Sequence, residues 1–300
     1  MKMFMPMLRK QLQWLFKILI KRSRTCSSPE CRHHHTIRRL WRLTPNVRLH
    51  GLTLCFPQCL ERELLRHLQH ASTAPRREQV NSCRVPLGLL MISRGELTSE
   101  QLHQALALQK KNGTGRIGEW LQQLGHACDV SVAAALASQW SCPVLKSVPA
   151  GVGSCTVPFH LLKSFCMAPV HFSKDRRILH IAFAEKIEHH ALLVIEQMLD
   201  CKTEACLTTR SEIDAALVRM EEHNPREILF DGTCGPEETV RIICSYVSAL
   251  NASEIRVAYC RELLWARLTG AELSENLLFS RVTGKVLQFV SKKLPETISS

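Results

Sequence analysis

Four cysteines near the start of the chain have the type and spacing to hold a metal. Cys26 and Cys31 are separated by Ser-Ser-Pro-Glu, and Cys55 and Cys59 by Phe-Pro-Gln. Four thiolates can close the tetrahedral shell of a structural zinc ion, and such a metal can replace a core too small to fold alone. His33, His34 and His35 are competing ligands. The alternative is a set of unpaired cysteines in a basic arm. A second set of residues is a repeat. Residues 87–109 and 117–139 are two copies of one unit, offset by thirty positions. Leu87-Gly88 matches Ile117-Gly118, Gly95 matches Gly125, Ala105-Leu106 matches Ala135-Leu136, and Gln109 matches Gln139. A fixed period means one supersecondary unit used twice. Two copies suit a pseudo-symmetric site better than a solenoid. A core needs no glutamine at a repeated position, so Gln109 and Gln139 are matched surface residues or matched ligand donors.

The elements that must position these residues are short helices. Leu87, Leu90 and Met91 share a helical face, and Ile117, Trp120 and Leu121 repeat that stripe. Gly95 and Gly125 follow these helices, where a positive φ is wanted. Thr98-Ser99-Glu100-Gln101 is a capping-box pattern opening a second helix with Leu102, Ala105, Leu106 and Gln109, which Asn112-Gly113 stops. The second copy opens with Asp129 or Ser131 as the expected cap. A helix over Leu60 to His70 follows the Cys55–Cys59 pair.

The tandem pattern resembles the MshEN module, the N-terminal domain of the assembly ATPases of type II secretion and type IV pili (the GspE/PilB family). In that family's cyclic di-GMP-binding members each motif opens Arg-Leu-Gly and closes on Gln, and the two motifs share one dinucleotide. The resemblance implies a ligand set of Arg116, Ile117, Gly118, Leu121, Gly125, Leu136 and Gln139 in the second motif. In the first it implies Leu87, Gly88, Gly95, Leu102, Leu106 and Gln109. Pro86 stands where the first motif's arginine belongs, and Arg84 lies two residues earlier. The chemistry suits a two-fold symmetric dinucleotide. Arginine stacks on guanine and pairs with phosphate, and glutamine reads a base edge. The cysteine pairs with their following helix resemble a treble-clef or FCS-type zinc finger.

Downstream, Pro143-Val144-Leu145 reads as a short strand and Val157 to Phe165 as a helix. Met167 to Phe172 and Ile178 to Ala184 read as a hairpin around a charged turn. Ala191 to Leu199 reads as a helix, Glu204 to Thr208 as a strand, and Ser211 to Met220 as a closing helix capped by Ser211. The resemblance to the family spans Val85 to Met220. A weaker one follows in Ala252 to Val257 and Leu264 to Gly270, similar to the start of the next ATPase domain, where Glu254, Arg256 and Thr269 depart from the family's residues. A phosphate loop is missing: Gly284-Lys285 lacks the upstream glycine and the hydroxyl that would hold magnesium.

Composition limits the partners. The formal net charge is +12, with 16 Lys/Arg against 4 Asp/Glu in residues 1–80 and 23 against 23 beyond. An anionic ligand would therefore meet particular arginines rather than a broad field. Met1 to Ser23 mixes Leu8, Leu12, Leu15, Phe16 and Leu19 with Arg9, Lys10, Lys17, Lys21 and Arg22. That pattern fits a basic amphipathic helix on an anionic membrane, a disordered tail, or an upstream start. Its apolar run is too short to span a bilayer, and no aromatic interleaving points to nucleic acid. Fourteen cysteines without a signal peptide argue for a reducing, cytoplasmic setting. Cys128, Cys155, Cys166, Cys244 and Cys260 lie in apolar contexts and read as core.

The expected fold is α+β. It comprises a basic region at 1–80 with a zinc finger, a helical tandem half at 84–145, an α/β half at 146–222, and an α/β segment at 223–300. No catalytic constellation is recognisable, so the chain reads as non-enzymatic. The resemblance implies a cyclic di-GMP receptor signalling to secretion or pilus machinery, or to a separate motor ATPase. The alternative is a protein–protein adaptor of the same kind of system that binds no nucleotide.

Overall fold

A computed structural model describes residues 26–31, 46–73, 84–149, 157–221, 227–231, 235–271 and 273–280. The basic stretch at 1–25, His33 to His35, Cys155 and Gly284-Lys285 lie outside these residues. The chain is mixed helix and sheet, in two compact units. One takes residues 1–74, 230–257 and 265–300, and the other 75–229 and 258–264.

In the second unit, helices α2 (Leu87–Ser93) and α3 (Ser99–Asn112) form the first copy, and α4 (Ile117–Gln123) and α5 (Asp129–Trp140) the second. The apolar stripes meet in one core of Leu87, Met91, Leu97, Leu102, Ala105, Leu121, Val132 and Ala135. Most of these are equivalents thirty residues apart, such as Met91 with Leu121 and Leu102 with Val132. Gly95 and Gly125 have φ of 72° and 70° with open space around a built Cβ, so the backbone conformation is what selects glycine there. The capping box forms as expected: Gln101 N donates to Thr98 Oγ1 at 3.3 Å, and Thr98 N to Gln101 Oε1 at 2.9 Å. In the second copy the cap is Cys128, neither Asp129 nor Ser131. Ser131 Oγ accepts the Cys128 N–H from inside the helix at 3.1 Å.

The α/β half follows with α6 (Phe159–Ser164), β3 (Met167–Ser173), β4 (Ile178–Phe183), α7 (His189–Leu199), β5 (Lys202–Leu207) and α8 (Arg210–Glu221). β3 pairs antiparallel with β4, and β4 pairs parallel with β5, so α7 is the crossover a parallel pair requires. Pro143 to Leu145 forms only a single bridge, Val144 to Leu207, rather than a strand. α8 starts one residue before Ser211, and Thr209 Oγ1 accepts the Glu212 N–H at 3.3 Å, so Thr209 takes the capping role expected of Ser211. Glu227 caps α6: its carboxylate accepts the backbone N–H of Phe159 at 2.6 Å and of His160 at 3.1 Å.

The first unit differs from the expected division. Residues at the front and back of the chain, read as separate regions, share one six-stranded sheet, in the order β2 (Leu52–Cys55), β1 (Asn46–Leu49), β7 (Glu254–Cys260), β8 (Leu263–Thr269), β9 (Ser274–Ser280) and β6 (Glu227–Asp231). β1 pairs antiparallel with β2 and parallel with β7, with Arg48 opposite Glu254 and Leu49 opposite Ile255. Helix α1 (Gln58–Thr73) buries Leu60, Leu64 and Leu68 and packs on α9 (Pro236–Ala249), which buries Val240, Ile243, Cys244 and Val247. Among the described residues no helix is long and apolar enough to cross a membrane. Cys244 and Cys260 are core as expected, whereas Cys128 is exposed and Cys166 half-buried, because both sit at element ends.

Candidate functional site

The two copies lock together through the glutamines. Gln109 Nε2 donates to the carbonyl of Gly115 at 2.9 Å, and Gln139 Nε2 to the carbonyl of Val85 at 2.6 Å. Val85 and Gly115 are themselves thirty residues apart, each two before the apolar-Gly pair of its motif. The end of each motif therefore grips the start of the other. This is a third role, neither idle surface nor free ligand donor. A backbone carbonyl has no side-chain signature, so only the thirty-residue register could have pointed to it.

Gly88 and Gly118 have a matching cause. A Cβ on Gly88 would meet Leu102 Cδ1 at 2.4 Å, and one on Gly118 would meet Val132 Cγ1 at 3.1 Å. In each copy the close approach is between sister helices. Leu87, Leu102 and Leu121 are likewise core, Ile117 and Leu136 are half-buried against it, and Leu106 is 44% exposed.

The cationic candidates stand at the motif starts. The Arg84 guanidinium lies 3.3 Å from the centroid of the Trp140 ring, directly after Gln139. Trp140 was not anticipated as a site residue; its position one past the motif glutamine is the signal that could have found it. The His189 ring lies 5.8 Å from Trp140. Arg116, with 58% of its side chain exposed, pairs with Glu185. Glu185 also faces Arg210 at 3.5 Å, and Arg210 pairs with Asp214 at 3.1 Å. Glu185 lies two residues beyond β4, and its partnership with Arg116 carries no local pattern.

The structure brings the four early cysteines together. Cys26, Cys31, Cys55 and Cys59 have sulfur atoms all within 4.8 Å of one another, and Cys31 Sγ lies 4.0 Å from Cys55 Sγ. Local geometry explains the gathering. β2 ends on Cys55, a cis Phe56-Pro57 bond turns the chain, and Cys59 enters the first turn of α1. The 26–31 knuckle lies alongside, with Ser27 N donating to the Thr53 carbonyl at 2.7 Å and Cys31 N to the Ser28 carbonyl at 3.2 Å. Cys26, Cys31 and Cys59 are buried, and none of the four is in a disulfide. Tetrahedral Zn–S bonds of about 2.3 Å place sulfurs about 3.8 Å apart, so the donor set fits with small adjustment. Ser28 Oγ, inside the knuckle, is buried with no hydrogen-bond partner. Burial, then the neighbouring Cys31 and Cys26, push the Cys59 thiol up to about 12. Burial also opposes ionisation of Cys26, but hydrogen bonds from the Ser28 and Cys55 backbones outweigh it and lower that thiol.

No protein-family model matches the chain, and no curated protein does. Among solved structures, the chain is similar to the structure of MshE with cdg, at 24% identity over 46% of this chain and 99% of that one, with a TM-score of 0.37. It is also similar to the N-terminal domain of XpsE in two crystal forms. One is 20% identical over 44% of this chain and 92% of that one, with a TM-score of 0.35. The other is 21% identical over 47% and 99%, with a TM-score of 0.28.

Proposed function

We propose that residues 84–221 are a non-enzymatic regulatory module that binds cyclic di-GMP and passes the signal to secretion- or pilus-type assembly machinery. The reciprocal clamp is the observation that carries this. Gln109 and Gln139 tie each motif's end to the other's start, giving the module the pseudo-two-fold frame that a two-fold symmetric dinucleotide matches. At one motif start, the Arg84 guanidinium lies 3.3 Å over the centre of the Trp140 ring, an arrangement that presents a cation for a guanine to stack on. At the other, the exposed Arg116 guanidinium supplies a phosphate partner.

Calorimetry of the full chain with cyclic di-GMP tests this. Binding at micromolar strength or tighter is expected, with Arg116→Ala weakening it about tenfold or more, about 1.4 kcal/mol. Pro86→Arg should tighten it by returning an arginine to the first motif. A second reading, an adaptor that docks on a protein without nucleotide, is favoured by two observations. Pro86 occupies the first arginine position, and Glu185 already holds Arg116. No heat with either the wild type or Pro86→Arg would leave only that adaptor role.

The proposal includes a structural zinc ion on Cys26, Cys31, Cys55 and Cys59. It would neutralise thiolate charge in the buried cluster and cross-link the knuckle to the hairpin and helix.

A further inference from the structure

We infer that this tetracysteine metal site is the clasp that builds the discontinuous first unit, joining residues 46–73 to residues 235–280. The inference rests on the zinc reading above and goes beyond it, because it assigns the metal a task in assembling the two ends of the chain.

The first unit has to be made from segments separated in sequence by residues 75–229. Ordering such a unit requires closing a long loop before the late contacts form, which costs entropy. The segment that must be in place first is short. β1 and β2 are a hairpin of four residues a side, and an isolated two-stranded hairpin is marginal at best in water.

The four ligands sit where they would correct this. Cys55 is the last residue of β2, and Cys59 is the second residue of α1. A metal bound to both fixes the direction in which the helix leaves the hairpin. The two surfaces so fixed are the ones that receive the back of the chain. β1 takes β7 alongside, with Arg48 N bonding the Ser253 carbonyl at 2.9 Å and His50 N the Ile255 carbonyl at 3.2 Å. α1, whose buried residues include Leu60, Leu64 and Leu68, packs on α9.

Beyond the Ser27 N–Thr53 carbonyl bond to β2, the knuckle is tied to α1 through exposed ion pairs. Glu30 pairs with Arg62 at 3.0 Å and Arg66 at 3.5 Å, all well exposed, and such pairs contribute little. The partnerless Ser28 hydroxyl is a second sign that the cluster is built around a charge. A buried donor left unpaired costs about 1–3 kcal/mol, and a metal-bound thiolate is an acceptor for it.

The test uses the full chain. Elemental analysis should find about one zinc per chain, lost in Cys55→Ser and Cys59→Ser. Replacement by cobalt(II) should give the thiolate charge-transfer absorption of a sulfur-only site, which a misfolded variant would not mimic. Hydrogen exchange is then compared between the loaded chain, the chain stripped by a chelator, and the chain reloaded with zinc. Stripping should speed exchange about tenfold or more in β1, β2, α1, α9 and β7, reversibly, while α2 to α5 stay protected. A chain that binds no metal on these cysteines would overturn both the zinc reading and the clasp. Zinc present, but with α9 and β7 unchanged on stripping, would overturn the clasp alone. Equal loss of protection in α2 to α5 would also overturn it.

Discussion

A Cβ built on Gly88 would lie 2.4 Å and 2.9 Å from the two methyls of Leu102, and 3.2 Å from its Cγ. The isobutyl group would have to move as a whole, and Leu102 is buried in the module's core. Replacing a helical glycine by alanine gains about 1 kcal/mol of propensity, whereas overpacking a core costs about 1–3 kcal/mol. Gly88→Ala should therefore lose about 1 kcal/mol net by urea denaturation, the middle of a range of about 0–2 kcal/mol. Gly118→Ala, at 3.1 Å from Val132 Cγ1, should lose less. The cause can be isolated by a double-mutant cycle. In a Leu102→Ala background, Gly88→Ala should become neutral or stabilising. If the two losses simply add, the close approach is not what demands glycine. The sequence marks these positions as special but not the surface approached: resemblance points to a ligand, while the structure puts a sister helix there.

At the scale of elements, the two copies differ most in how their second helices begin. α3 has both arms of a capping box, through Thr98 and Gln101. α5 has Cys128 at the equivalent cap: Ser131 Oγ accepts its N–H at 3.1 Å, and the arm that faces the helix ends in sulfur rather than oxygen. Sulfur is a weak acceptor, so the N–H groups of the first turn of α5 are served less well. Cys128→Thr should stabilise the module by about 0.5–1 kcal/mol, and Thr98→Ala should destabilise it by a similar or larger amount. An unchanged or lower melting temperature for Cys128→Thr would show that the thiol already caps α5 adequately. Helices, the glycine stops and the α3 cap were legible because periodicity and capping are local. The β3–β4 hairpin was legible because its charged turn lies between two apolar runs. The Thr209 cap was misplaced by two residues, within the usual ambiguity between neighbouring hydroxyls. The Gln139–Val85 and Arg116–Glu185 partnerships were not legible, since each joins residues far apart through groups with no pattern of their own. The cysteine cluster was legible because paired spacing survives in the sequence even when the partners are distant.

At the scale of the whole molecule, the joining of residues 46–73 to residues 235–280 was hidden, because strand pairing between distant segments leaves no mark in either. His50 stands at this join. It has a positive φ of 47°, and its Nε2 accepts the Val257 N–H at 3.1 Å. The His67 ring lies 5.0 Å away, and Glu254 and Arg256 of β7 are close enough to act on its charge. Burial first, then His67, lowers the His50 pKa below 6.5. With the folded value below the unfolded one, the unfolded chain binds the extra proton. The stability His50 contributes is complete above about pH 6.5 and is lost as pH falls through the folded value. Protonation also places a donor against the Val257 N–H, which then has no acceptor there. Acidifying from about pH 7.5 to about pH 5.5 should therefore speed hydrogen exchange in β1 and β7. His50→Gln keeps an acceptor without a titrating ring, so its exchange should depend less on pH. Acid also protonates thiolates and weakens metal binding, so the two proteins are compared at matched zinc content, where that effect is common to both. If wild type and His50→Gln keep the same pH dependence at matched zinc, His50 is a bystander at the join, and the acid sensitivity of the first unit belongs to the metal cluster.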